Sequence, residues 1–239
     1  MSSLVESPFD SDYYGVRVGK LTLASTSDLA PMLVAAKTRY DVMFLRVDEA
    51  KVEILAGLEP RRRLETLVTL ERPRTSPPPL IQLTGELELS ASDVVADPAV
   101  LATIGSITVA AIRTSHLHGD PRLPAARTRA LYAEWARNDA RGRAQQTFIA
   151  RRRGVVVGYL TALRSCDIAV IDLVAVDPQC HGQGVGTALV ASFVTWAFEN
   201  GLAMRVGTQA TNRASVLYER FGFAPAARHA TFHLWLDEP

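Results

Sequence analysis

Apolar and polar positions along the chain alternate between strand-like runs and helix-like spacing. "IAVIDLVAV", residues 168–176, is apolar almost throughout and predicts a buried strand, stopped by Pro178. "GVGTALVASFVTWAFENG", 184–201, sets Val185, Leu189, Ser192 and Trp196 along one side of a helix that ends at Gly201. "AMRVGTQ" then predicts a strand, "TNRASVLYERFGF" a helix with its terminating turn, and "ATFHLWL" a closing strand. Upstream, "QQTFIARRRGVVVGYLTAL" predicts two strands about an arginine–glycine turn, and "PAARTRALYAEWARNDARG" a helix with Leu131, Trp135 and Asn138 on one face. "DPAVLATIGSITVAAIR" predicts a helix despite its β-branched residues, and "LIQLTGELEL" a strand. In the first third, "YYGVRVGKLTL" predicts a strand pair or one long strand. "SDLAPMLVAAKTRY" predicts a helix opened by Ser27 or Asp28, "DVMFLRV" a strand, "DEAKVEILAGL" a helix and "LETLVTLE" a strand.

The prolines of "RPRTSPPPL" remove backbone donors and favour an extended connector. They divide the chain into a small α/β domain over 1–72, a proline-rich linker over 73–79 and a larger domain over 80–239. The arginine run 61–63 reads as a solvated loop.

Composition narrows the function classes only a little. A formal net charge of +1 gives no strong pull toward nucleic acid or an anionic membrane. The opening "MSSLVESPFDSDYY" lacks the apolar segment of a signal peptide, and no run reaches the ~18 apolar residues of a membrane span. With two cysteines, Cys166 and Cys180, a reduced cytoplasmic protein is expected. His116 and His118 stand two apart with no further ligand cluster, so no metal site is expected.

Chemistry concentrates where "LVAVDPQCHGQGVGTALV" turns from strand to helix. Gly182, Gly184 and Gly186 open a helix whose first amides lack partners, a place where phosphate can approach bare backbone. A nucleotide-triphosphate loop would place lysine before Thr187, and a dinucleotide fold would put an acid after the next strand; neither is present.

Together with "TNRASVLYERFGF", this stretch resembles the two signature segments of the GNAT N-acetyltransferase superfamily. The matches are His181-Gly182-Gln183-Gly184-Val185-Gly186 and then Asn212, Ser215, Tyr218, Gly222 and Phe223, with histidine at 181 where glutamine or arginine is usual. The resemblance implies a GNAT fold, a mixed, mostly antiparallel sheet flanked by helices, preceded by an α/β unit like a truncated relative of it. It implies acetyl- or another acyl-coenzyme A as co-substrate, its pyrophosphate on the amides of His181, Gly182, Gln183, Gly184, Val185, Gly186 and Thr187. The pantetheine would pair with backbone at Val174 and Val176, with Asn212 and Ser215 nearby. The Val174 amide would polarise the thioester carbonyl and Tyr218 would protonate the leaving thiolate. Asp172 shares strand parity with Val174 and is a candidate base; a place in a hydrogen-bond network is the alternative. A packed helix face of Ala214, Leu217, Tyr218 and Phe221 is the alternative for Tyr218.

"SPFDSDYYGVRVGKL" and "SHLHGDPRLPAARTRALYAEWARNDARG" are in turn similar to segments of the dTDP-fucosamine acetyltransferase group. That likeness rests on Asp10, Ser11, Gly15, Ser115, Asp120, Pro121, Tyr132, Trp135 and Asn138. It implies a dTDP-linked amino sugar as acceptor, with Tyr14, His116, Arg122, Tyr132, Trp135 and Asn138 as substrate-binding candidates. Another small amine, such as an aminoglycoside or natural-product precursor, and a coenzyme A-binding regulatory protein without turnover are the alternative readings. Oligomeric state, including a homodimer, stays open.

Overall fold

The computed structural model describes residues 2–56, 62–79 and 87–236. Its contacts form two compact units that interleave along the chain: 1–68 with 114–131 and 227–239, and 69–113 with 132–226. The division expected at the prolines is sequential; the folded units are not, because the chain returns to the first unit twice.

In the first unit, β1 (Ser3–Glu6), β2 (Val18–Leu23), β3 (Val42–Asp48) and β10 (Ala224–Trp235) lie in that order. Pairing is antiparallel, then parallel, then antiparallel. Leu21, Leu45, Val47 and Phe232 pack into its core with Tyr40 and Leu55. The expected strand over 13–23 starts only at Val18. Pro8–Tyr14 is helix α1, with proline in its first turn and Gly15 at φ 70° ending it. Helix α2 (Leu29–Lys37) follows. The helix expected over 48–58 is a kinked 3₁₀ segment, Glu49–Leu55, opened by the Asp48 carboxylate on the Ala50 amide. Arg62–Arg72 is strand β4, so Arg63 belongs to a strand and pairs with Glu49, whereas Arg61 lies outside the described residues. The closing strand begins at Ala224, six residues before the expected Ala230.

In the second unit, β5 (Glu88–Ser92), β6 (Gln146–Arg152), β7 (Val155–Ser165) and β8 (Ile168–Val176) pair antiparallel in sequence, and β9 (Ala203–Gln209) runs parallel to β8. Residues 80–86 of the predicted strand 80–89 lie outside the described residues. Helices α3 (Pro98–Ala111) and α6 (Val185–Glu199) both pack on β7 and β8. α3 is capped by the Asp97 carboxylate on the Ala99 amide, which offsets its β-branched content. Helices α4 (His116–Gly119), α5 (Ala125–Asn138) and α7 (Ala214–Arg220) complete the set. Mixed, mostly antiparallel sheet with flanking helices is the expected class.

Close helix–sheet packing depends on Gly158 in β7. A Cβ there would meet Val185 Cγ1 at 2.9 Å, the Ala175 carbonyl oxygen at 3.1 Å and Leu189 Cδ1 at 3.2 Å. The backbone oxygen cannot swing aside, so Gly158→Ala should destabilise the protein by about 1–3 kcal/mol. Chemical unfolding should show a lower midpoint at unchanged slope; an unmoved midpoint would mean α6 tolerates displacement from the sheet.

Candidate active site

The geometry begins with one extra residue in β8. Thr161 pairs with Leu173 and Ala162 with Ile171, so Asp172 has no partner across the ladder and bulges. The Leu173 amide donates to the Thr161 hydroxyl at 3.2 Å, and the Asp177 amide to the Val157 carbonyl at 2.9 Å. Both amides therefore face β7, and by strand alternation those of Val174 and Val176 face the other edge. On that edge β9 pairs only with Ile168–Ile171, so the backbone at Val174 and Val176 lies beyond the paired stretch.

Beyond β8 the chain turns through Asp177, whose carboxylate accepts from the Gln179 amide, into a left-handed Gly182 (φ 74°) and Gly184 (φ 80°). A Cβ at Gly182 would meet nothing within 4 Å, so no side chain fills that side of the turn. Helix α6 makes its first bond from the Ala188 amide to the Gly184 carbonyl, leaving the amides of Val185, Gly186 and Thr187 without helical partners. A Cβ at Gly186 would sit 3.6 Å from Leu217 Cδ2 and 3.8 Å from Val176 Cγ2, so α6, α7 and the end of β8 converge there. His181 turns its ring back so that Nε2 lies 3.1 Å from the Val176 carbonyl, while Gln183 bonds Arg152 and the Gln179 carbonyl.

Tyr218 is buried on α7, edge-on to Phe223, and burial pushes its phenol well above the ordinary value, so it stays protonated across neutral pH. The end of its helix is held by Arg72, a buried guanidinium that donates to the carbonyls of Phe221 (2.7 Å) and Pro77 (2.6 Å). Burial also lowers the Arg72 pKa. Asn212 uses its side-chain oxygen to accept from the Ala214 amide, and Ser215 donates to the Asn212 carbonyl. Both organise the start of α7.

Asp172 accepts from Trp135 Nε1 at 2.8 Å and pairs with Arg143, and Tyr132 stacks beside Trp135 with centroids 5.7 Å apart. Three sequence candidates thus meet at the bulge. Asn138, on the same helix, bonds Arg141. Tyr14, His116 and Arg122 belong instead to the first unit's internal network. The Tyr14 phenol is buried against Thr128 Oγ1 at 2.9 Å, and burial first of all pushes its pKa up to about 12. His116 Nδ1 lies 2.8 Å from His233 Nε2, whose Nδ1 lies 2.6 Å from Asp120, and Arg122 stacks on Trp235 at 3.8 Å. Among the described residues no group of acids, histidines or cysteines could hold a metal, and Cys166 and Cys180 are both free.

One residue escaped the sequence reading. Asp139 follows α5 in a π-turn (Asp139–Arg143) and is completely buried. Its carboxylate accepts from Thr161 Oγ1 at 2.8 Å and Arg143 Nε at 2.6 Å. Burial, and then the neighbouring Asp172 charge, push its pKa up to about 7. No local motif could have marked it, since both causes are tertiary.

A strand with a bulge that leaves its neighbour, a glycine turn and a helix opening with unpartnered amides thus stand together in the second unit. Residues 112–223 match the Acetyltransferase (GNAT) family. The spore coat polysaccharide biosynthesis protein SpsD of Bacillus subtilis (strain 168) is 34% identical over 118 residues, 48% of this chain and 41% of that protein. The match thus spans well under two thirds of the relative's length. A GCN5-related N-acetyltransferase structure from Sphaerobacter thermophilus superposes with a TM-score of 0.62 at 12% identity, covering 98% of this chain and 76% of that one. A tandem GNAT protein from the clavulanic acid biosynthesis pathway gives 0.61 at 13% identity, covering 100% and 84%. At such identities the likeness concerns the fold. No helix among the described residues is long and apolar enough to cross a membrane.

Asp139 makes stability depend on pH. Its folded pKa of about 7 lies above the usual 3.8, so its contribution is fully present near pH 4 and is lost as pH rises through 7. Asp139→Asn should flatten the fall in unfolding free energy between those limits. An unchanged slope in urea titrations across that range would show that the carboxyl is ionised throughout.

Proposed function

We propose that the chain is an acyl-coenzyme A-dependent N-acyltransferase whose acceptor is the amine of a nucleotide-linked deoxyamino sugar. The observation that carries the acyl-transfer reading is the parting of β8 from β9 after Ile171, which leaves the Val174 and Val176 edge in line with the open turn at Gly182.

The residues fit such a donor. A pyrophosphate lies against the amides from His181 to Thr187, where helix α6 concentrates partial positive charge and Gly182 and Gly184 keep side chains away. The pantetheine arm extends β8 as an added strand along Val174 and Val176, which requires the His181 ring to release the Val176 carbonyl. The Val174 amide stabilises negative charge on the thioester oxygen as the amine adds. The lone pair of the amine forms the new bond to the carbonyl carbon, the carbon–sulfur pair departs on sulfur, and Tyr218 donates its proton there. Its raised pKa makes full transfer uphill, so the phenol acts first as a hydrogen-bond donor to the developing thiolate. Phenol loss of a proton is completed as the nitrogen gives up its own. Asn212 and Ser215 hold the start of α7 and so set where Tyr218 points.

The sugar-nucleotide acceptor is supported by the motif likeness, by Tyr132 and Trp135 stacked beside Asp172, and by the polysaccharide-biosynthesis description of SpsD. Tyr132, Trp135 and Asn138 would then contact the sugar. The chain acts without a metal in this reading.

Acetyl-coenzyme A mixed with a panel of dTDP-amino sugars, aminoglycosides and simple amines, with free thiol followed, tests it. Thiol release with the sugar nucleotides alone is the expected result. Release only with other amines would overturn the acceptor, and donor binding without release from any amine would overturn the enzyme. Tyr218→Phe should cut turnover by about 10²–10⁴-fold while leaving donor affinity within a few fold; undiminished turnover would remove the acid role. Gly184→Leu should abolish donor binding in calorimetry, because its φ of 80° disfavours a side chain and the pyrophosphate needs the space.

A further inference from the structure

The bulge of β8 and the π-turn after α5 bring two carboxylates onto one cation. A single guanidinium nitrogen of Arg143 touches both Asp139 (2.5 Å) and Asp172, and Arg143 Nε adds a second bond to Asp139. The two carboxylates thus converge on one nitrogen. With both acids ionised, two negative charges share one positive charge around a residue with no solvent exposure, which is costly in the interior. One proton held between them removes the imbalance, and among the described residues no second cation bonds either carboxylate. On β7, Thr161 donates its hydroxyl proton to Asp139 while accepting from the Leu173 amide. Tyr159, fully buried and hydrogen-bonded to Thr108, stays neutral because burial raises its pKa further. On α5, Trp135 offers only a neutral N–H to Asp172. Among the described residues, the charged and titratable groups facing the pair are Arg143 and the Tyr159 phenol.

The two acids differ in access. Asp139 is sealed, whereas the side chain of Asp172 keeps 16% of its surface and stands two residues before Val174 on the strand that would carry the thioester. We propose that Asp139 and Asp172 work as one base: Asp172 takes a proton from the acceptor's ammonium, and Asp139 stores it away from water. This deepens the acyl-transfer reading and rests on it. Asp172 is the catalytic residue of the pair and Asp139 its positioning residue. In the form with both carboxyls ionised, the ammonium loses one proton to Asp172 and on to Asp139, freeing the lone pair that attacks the thioester carbon. The nitrogen's second proton replaces the one Tyr218 gives to sulfur. The stored proton returns to solvent through Asp172, so each turnover releases one proton and each group ends as it began. The upward push on Asp139 to about 7 sets its carboxyl to exchange a proton near neutrality.

The test needs two readouts on the full chain. Carbon-13 NMR of protein labelled at aspartate carboxyls reads the pair without turnover. The wild type should show a carboxyl inflection near 7; Asp139→Asn should abolish it, and Asp172→Asn should move it down by at least about one pH unit as the like charge goes. No inflection between about pH 6 and 8, or one unmoved by Asp172→Asn, would overturn the shared proton. Asparagine at 139 is the isostere of the protonated acid and keeps an oxygen for Arg143 while its amide N–H faces the Thr161 hydroxyl, so the fold should persist. In thiol-release assays with acetyl-coenzyme A and a saturating dTDP-amino sugar, Asp172→Asn should lower kcat about 100-fold, and Asp139→Asn should move the acid limb of kcat down by at least about one unit. A kcat profile in Asp139→Asn identical to that of the wild type would overturn the relay. Absence of thiol release from every amine would instead sink the acyl-transfer reading, with the NMR titration still deciding the pair.

Discussion

The second unit turns on one backbone constraint: β8 carries a residue more than β7 can pair. An inserted residue shifts every later position by one, so it decides which amides reach the ladder and which reach the free edge. With Asp172 extruded, Leu173 and Asp177 face β7 while Val174 and Val176 face the side that β9 has left. The same extrusion lifts the Asp172 carboxylate out of the strand toward Trp135 and Arg143. A backbone edge left unpaired by β9 and an acid beside it thus come from one local irregularity. Thr161 makes it affordable, since its hydroxyl stands in for the carbonyl that the Leu173 amide would otherwise lack.

Elements of the second unit were legible because their signals are local. The unbroken apolar run of β8, the glycines before α6, the left-handed Gly201 after it and the helix before Gly222 each carry their own punctuation. The first unit was harder. Tyr13 and Tyr14 favour strands by propensity, yet Pro8 at the first turn and Gly15 at the end fix a helix, and the buried Tyr14 phenol on Thr128 shows that tertiary packing decided the matter. Tyr14, His116 and Arg122 were substrate-contact candidates through the likeness to the dTDP-fucosamine acetyltransferase segments. In the fold their side chains satisfy one another or their neighbours: His116 with His233, Arg122 with the Trp235 ring. Asp139 was invisible for the opposite reason. Nothing within its own turn distinguishes it, and its character comes from burial and from a residue thirty-three positions away in sequence, Asp172.

The first unit buries Asp120 and His233, and their hydrogen bonds offset part of that cost. Asp120 accepts from the His233 ring and from Trp235 Nε1 at 3.1 Å, and Phe44 stacks on His233 with centroids 4.1 Å apart. Burial, then the charges of His233, Arg46 and Lys20, hold the His116 pKa well below its ordinary value. Neutral imidazoles can pass one hydrogen bond from Asp120 through His233 to His116, whereas a second proton would set two cations 2.8 Å apart. Such a chain specifies side-chain orientation more than it adds net stability.

The proline run has more to do than separate elements. Arg72 sits at its start, buried without a carboxylate, and satisfies itself on carbonyls. One of those, at Phe221, terminates α7, where the helix concentrates partial negative charge and favours a cation. The other, at Pro77, lies in the supposed connector, so the segment is clamped to the end of the helix that bears Tyr218. A lysine could not divide its charge between two such acceptors in a fixed fork, and it would keep its proton less readily when buried. The placement of a phenol on α7 is therefore tied to backbone well over a hundred residues earlier, through a guanidinium whose cost of burial is met by a helix terminus and a proline carbonyl. Short α7, too brief to hold its own shape in water, depends on such a clamp for its rigidity.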